Sequence, residues 1–108
     1  MKTITRDQLK RMNDTQHEDF VLINVLSRES FLEEHIRTSI NVPVDDERFV
    51  ELVESVCGGK ERKIVVYCAS FACAASPRAA QKLDAAGFSQ VFDYEGGSKD
   101  WFEHKHAA

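Results

Sequence analysis

Three short apolar runs stand out along the chain: Phe20 to Val25, the unbroken Ile64 to Tyr67, and Val91-Phe92. Apolar and β-branched runs of this length suit strands buried on both faces, as in a parallel sheet. Ile40-Asn41-Val42 reads as a further short strand, closed by Pro43, whose ring pushes Val42 out of the helical region. Thr3-Ile4 offers an edge strand. Between these runs the apolar spacing turns helical. Thr5 and Gln8 have capping-box spacing, with Ile4 and Leu9 as a hydrophobic staple, and that helix ends near Asn13-Asp14. Ser27 to His35 predicts a short helix, with Ser30 and Glu33 as a second capping box. From Asp46 to Val56 the buried stripe is Phe49, Leu52, Val53 and Val56, and Cys57-Gly58-Gly59 ends the helix. After the central run, Ala79, Ala80, Leu83 and Ala86 continue at helical spacing to Gly87, with Ser76 as cap and Pro77 in the first helical position. A Gly96-Gly97 turn precedes a last helix, capped by Ser98 and carrying Trp101 and Phe102. Strands alternating with helices give an α/β domain spanning 1–108, with a small parallel sheet of four to five strands and helices on both faces.

Composition narrows the function. A chain of 108 residues, 43% hydrophobic and 30% charged, is an ordinary globular sequence. Net charge −4 argues against nucleic acid or an anionic membrane surface as partner. Met1 to Met12 is charged and amphipathic rather than a signal sequence, and no stretch has transmembrane length. Three cysteines, an odd number without an export signal, point to reduced thiols and a cytoplasmic setting. A monomer is favoured.

Chemistry concentrates where the central run ends, at Cys68. A cysteine at the carboxyl end of a buried parallel strand, across a tight loop from a helix N-terminus, lies where open α/β sheets bind ligands. Loop N–H groups and the helix dipole favour an anion there, which predicts a Cys68 thiolate near neutral pH. The alternative is a buried structural thiol. Cys73 can resolve an oxidised or persulfidated Cys68 by forming a disulfide, or it can simply fill space. Cys57, at a helix end, reads as incidental. Cys68 and Cys73 with His104 and His106 fit no zinc spacing, so no metal and no cofactor are expected. His17, His104 and His106 read as solvated, and Trp101 as core.

Three segments together resemble a family, the single-domain rhodaneses. Leu22-Ile23-Asn24-Val25, Phe31, His35-Ile36 and Ile40-Asn41-Val42-Pro43 resemble its first signature. Val65-Val66-Tyr67-Cys68, Ala79-Ala80 and Leu83 resemble its active-site segment. Gly87-Phe88, Val91, Tyr94, Gly96-Gly97 and Trp101 resemble its closing segment. The likeness runs from about Thr5 to His104 and implies a rhodanese-like fold, a sulfurtransferase activity, and a structural role for His35.

It also implies Cys68 as the catalytic persulfide carrier, with a sulfane-sulfur donor and a thiophilic acceptor as partners. The substrate-binding loop is then Ala69, Ser70, Phe71, Ala72, Cys73, Ala74, Ala75 and Ser76, with Arg78 pointing at a bound anion or out to water. Ser70 and Phe71 line the mouth, unless Phe71 packs on the core. The chain departs from the family at Asn24 (usually Asp), Leu26 (usually Arg), Glu34 (usually Gly) and Cys73 (usually Arg), and its loop is about two residues longer before Ser76. A wider, less polar mouth lined by Ala69, Ala72, Ala74 and Ala75, and poor use of thiosulfate, follow as expectations. The other readings are a non-catalytic or redox-sensing module using Cys68 and Cys73, and oxyanion chemistry of the phosphatase or arsenate-reductase type. The last needs an arginine fork that this loop lacks.

Overall fold

The computed structural model describes residues 2–15 and 19–105. His17, His106 and the side chain of His104 lie outside the described residues. The elements follow in the order β1 (Lys2–Thr3), α1 (Arg6–Thr15), β2 (Phe20–Asn24), α2 (Arg28–Glu33), β3 (Ile40–Asn41), α3 (Phe49–Cys57), β4 (Lys63–Tyr67), α4 (Ala75–Ala85), β5 (Val91–Tyr94) and α5 (Gly97–Lys105). All strand pairs are parallel, in the order β1-β5-β4-β2-β3. The edge strand starts one residue earlier than Thr3-Ile4, because Lys2 and Thr3 hold the register with Phe92 and Asp93.

β4 lies at the centre, between β5 and β2, where its apolar run is covered on both faces. Ile64, Val65, Val66 and Tyr67 are all fully buried. Alternate residues feed two cores. Val21, Ile23, Val25, Ile64, Val66 and Cys68 meet Phe49 and Val53 of α3 and Ala79, Ala80 and Leu83 of α4. Leu22, Val65, Tyr67 and Tyr94 meet Leu9 of α1 and the partly buried Trp101 and Phe102 of α5. Truncating a side chain such as Leu83 to Ala costs about 2–5 kcal/mol.

The helix ends explain where the sequence pattern was followed and where it was overridden. At α1 the Thr5–Gln8 box forms: Gln8 N–H donates to Thr5 Oγ1 at 3.2 Å, and Thr5 N–H to Gln8 Oε1 at 2.8 Å. At α2 the cap is Ser27 rather than Ser30. Ser27 is extended and accepts from Ser30 N–H, so Ser30 already lies inside the helix. α3 starts at Phe49 rather than Asp46, because the Asp46 carboxylate accepts from Arg48 N–H in a preceding turn. Its buried stripe is Phe49, Val53 and Cys57; Val56 is exposed. α4 ends in a Schellman motif, with Phe88 N–H on Leu83 O and Gly87 N–H on Asp84 O, and Gly87 adopts the required positive φ of 96°.

Two predicted caps are corrected. Ala74 is already near-helical, so α4 begins at Ala75 and Ser76 lies inside its first turn, buried and turned inward. Pro77 remains within that turn, where its missing N–H costs nothing. Likewise α5 begins at Gly97, and Ser98 is a buried residue of its first turn. No described helix is long and apolar enough to cross a membrane. Among the described residues no cluster of His, Cys, Asp and Glu could hold a metal ion.

Candidate active site

The loop after β4 is fixed from below by the start of α5. Ser98 N–H donates to Cys68 O and Lys99 N–H to Ala69 O, each at 2.9 Å. These free amides of a helix first turn take up the loop's carbonyls. The contact requires glycine at position 97, where φ is +66° and a Cβ would strike the Cys68 carbonyl oxygen and lie 2.7 Å from the Ala69 carbonyl carbon. With Cys68 O and Ala69 O so engaged, the loop folds back on itself. Cys73 N–H donates to Ser70 O at 3.0 Å, and Ala72 N–H to Ser70 Oγ at 3.3 Å.

That fold brings the two loop thiols together. The Cys68 thiol is fully buried. Its Sγ faces Ser76 Oγ at 3.4 Å and the Cys73 carbonyl oxygen at 3.7 Å. Cys73 is only partly buried and lies on the solvent side of the pair.

The electrostatics differ from the sequence expectation. Burial pushes the Cys68 thiol up, and hydrogen bonding to Cys73 adds to the rise; the hydroxyl and N–H of Ser76 pull the other way without prevailing. For Cys73, desolvation would raise the value, but the Cys68 thiol and the N–H groups of Ala69, Ala75 and Ser76 outweigh it and hold Cys73 below the usual thiol range. Ser76 N–H therefore acts on both sulfurs, while the amides of Ala69 and Ala75 favour charge on Cys73.

Around the pair, the predicted residues are distributed unevenly. Ala69, Ala72 and Ala74 are exposed, and of these only Ala72 borders a groove; Ala75 packs against the core. Ser70, Phe71 and Ala72 border a groove of about 290 Å³ with Lys99 and Glu103 on its other wall. Phe71 is 73% exposed, so it does not pack on the core. Arg78 is ion-paired with Asp45, both exposed. His35 stacks on Phe31 with ring centroids 3.9 Å apart, and its Nδ1 lies 2.7 Å from Phe31 O. Asn24 and Leu26 depart from the family pattern in a mutually consistent way. Asn24 is fully buried and Leu26 packs on the core, so a neutral amide suits a position with no cation beside it.

Two residues near the site were not anticipated. Lys99 is an exposed cation on the groove beside Phe71. Asp93 is 1% exposed, on the face of β5 that α4 covers. Burial pushes its carboxyl up, the nearby Ser76 hydroxyl pulls it down, and Glu95 adds to the rise. Neither carboxyl oxygen has a partner at hydrogen-bond distance among the described residues, so Ser76 acts on it at longer range. The signal was available: one acid inside the otherwise apolar run Val91–Tyr94.

The comparisons agree with this geometry. The chain is similar to the BH2092 protein from Bacillus halodurans (25% identity, TM-score 0.82, covering 96% of this chain and 73% of that one). It shares its fold with a human single-domain sulfurtransferase, TSTD1 (18% identity, TM-score 0.78, covering 95% and 96%). It also shares it with a thiosulfate sulfurtransferase from Pseudomonas aeruginosa (21% identity, TM-score 0.83), covering 96% of this chain but 19% of that one. No curated protein matches the sequence. A profile of the rhodanese-like domain matches residues 5–104, nearly the whole chain, and on that ground the chain belongs to the rhodanese-like domain family.

Proposed function

We propose that the protein is a sulfurtransferase in which Cys68 takes sulfane sulfur from a donor, holds it as a persulfide, and passes it to a thiophilic acceptor. The observation that carries the reading is the thiol pair: a buried Cys68 at the end of β4, its sulfur 3.7 Å from the Cys73 carbonyl oxygen, beside a Cys73 whose charge is favoured by loop and helix amides. The pair loses its first proton as a unit. As the Cys68 sulfur attacks the outer sulfur of the donor, its proton passes to Cys73, and the donor leaves as a thiolate or, from thiosulfate, as sulfite. The same loop N–H groups stabilise the charge that develops.

The donor follows from what occupies the arginine position. Cys73 supplies no cation, and Arg78 is held by Asp45. A hydrogen bond to a charged group is worth about 1.5–3 kcal/mol, so its absence lowers transfer from thiosulfate roughly tenfold to a hundredfold. A thiol persulfide, on a small molecule or a protein, is the better donor, and Cys73→Arg raises the use of thiosulfate. Thiosulfate as best donor of the parent, with no gain in Cys73→Arg, removes this donor assignment.

Incubation with a sulfane donor adds one sulfur atom per chain in a Cys73→Ser variant, which keeps Cys68, and none in Cys68→Ser. Equal uptake by the Cys68→Ser variant would overturn the reading. A redox-sensing module is the second reading, favoured by the complete burial of the Cys68 thiol. It predicts a disulfide on mild peroxide treatment and no sulfur uptake from any donor. Phosphatase or arsenate-reductase chemistry is disfavoured, since the cradle holds a thiol and the loop has no arginine fork.

A further inference from the structure

We propose that Cys73 discharges the Cys68 persulfide inside the loop, so that the protein releases sulfide and requires a dithiol reductant to turn over. The inference rests on the reading that Cys68 is loaded, and it extends what happens next.

Three observations carry it. First, the Cys68 sulfur lies 3.7 Å from the Cys73 carbonyl oxygen, with the Cys73–Ser70 turn folding Cys73 back over Cys68. Second, Cys73 is the member of the pair nearer solvent, whereas Cys68 has no solvent exposure. An outside thiol must therefore pass Cys73 to reach the persulfide, while Cys73 itself needs no diffusion, and proximity of this kind favours the internal step. Third, the N–H groups of Ala69 and Ala75 favour charge on Cys73, and Ser76 N–H is shared between the two sulfurs, so the outer sulfur of a loaded Cys68 finds the same donors. A persulfide anion and the Cys73 thiolate compete for one set of donors, and like charges in one cradle disfavour each other. Losing one of the two charges relieves the competition.

The step balances without an outside oxidant. The Cys73 thiolate attacks Cys68 Sγ of the protonated persulfide. A bond forms between the Cys73 and Cys68 sulfurs; the bond from Cys68 Sγ to the outer sulfur breaks, and that sulfur leaves as HS− with the bonding pair and its proton. The sulfane sulfur is reduced to sulfide, and the two cysteine sulfurs are oxidised to the disulfide. A dithiol then exchanges with the disulfide, restoring both thiols and leaving oxidised itself. Over one cycle a persulfide and a dithiol become a thiol, sulfide and a disulfide. Cys57 takes no part, being packed against the α3–α4 core.

The test loads the protein with glutathione persulfide, removes excess donor by rapid gel filtration, and follows protein mass and free sulfide with no acceptor added. The parent should lose two hydrogens, form a Cys68–Cys73 disulfide in peptide maps, and release one equivalent of sulfide. Cys73→Ser, lacking the proton acceptor, should load more slowly, but once loaded it should keep one added sulfur on Cys68 and release sulfide at least about tenfold more slowly. With dithiothreitol present, the parent should release sulfide catalytically. A parent that keeps the sulfur on Cys68, or carries it as a Cys73 persulfide without a disulfide, overturns the internal discharge and leaves sulfur transfer standing. If neither protein takes up sulfur and no disulfide forms, both proposals fall.

Discussion

The carboxyl end of α3 and the amino end of α4 each hold a cysteine, and the two are opposite in chemistry. Cys57 closes α3, where the helix offers carbonyls and Gly58 turns left-handed to bond Glu54 O. Burial pushes its thiol up, and the charge of Arg62 only moderates the rise. Cys73 lies just before α4, where the helix and loop offer N–H groups, and its thiol is held below the usual range. The same residue type is structural at one helix end and chemical at the other because burial prevails at Cys57, whereas at Cys73 the Cys68 thiol and the loop and helix N–H groups outweigh it. Cys68, the residue that follows β4, resembles Cys57 in being buried with a raised thiol.

The largest effect that tests this contrast is alkylation. Iodoacetamide at neutral pH should label Cys73 about tenfold to a hundredfold faster than Cys57 or Cys68, because only the thiolate reacts and only Cys73 is both acidified and accessible. Equal labelling of Cys57, read by peptide mapping, would contradict the assignment of donors to α4.

Glycine substitutions sharpen the comparison next. Gly97→Ala combines a left-handed backbone with a Cβ driven into the Cys68–Ser70 backbone. It should slow sulfur loading by about tenfold or more, the equivalent of roughly 1.4 kcal/mol in the barrier. Gly58→Ala, also left-handed but with open space around the added carbon, should cost about 1 kcal/mol of stability and leave loading unchanged. Equal effects of the two on loading would show that α5 does not set the loop.

The smallest effect concerns Asp93. Its carboxyl is raised in the folded state, so the native protein binds this proton more tightly than the unfolded chain does. Stability from this group is therefore full at acid pH and is lost as pH rises through the interval between the ordinary and the raised value. Asp93→Asn should raise the melting temperature by a few degrees at neutral pH and by less at acid pH. A variant destabilised equally at both would point to lost packing instead.

Much of the fold could be read from the residues, and the reason is physical. Buried strands such as Ile64–Tyr67 must be continuously apolar, and the Thr5–Gln8 box and the Gly87 stop are local devices that sequence displays directly. Ser76 and Ser98 were misassigned as caps because serine is favoured both at caps and at tight contacts. Ala74 and Gly97 start those helices only because the loop and α5 grip each other. Val56 was exchanged for Cys57 because helical periodicity alone allows either edge of a stripe. The loop residues of the site were legible in identity but not in polarity. Nothing in the spacing of Cys68 and Cys73 says which sulfur the amides will face; that is decided by Ser98 and Lys99, donating to the loop's first two carbonyls from thirty residues away in sequence.

The most direct test of the central claim is to map sulfur to individual cysteines. The Cys73→Ser protein is treated with glutathione persulfide, alkylated and digested, so that all remaining thiols are scored in one sample. The account predicts one added sulfur on the peptide carrying Cys68, gained more slowly than in the parent, and an unmodified sulfur at Cys57. Sulfur on Cys57, or on neither cysteine, would contradict it.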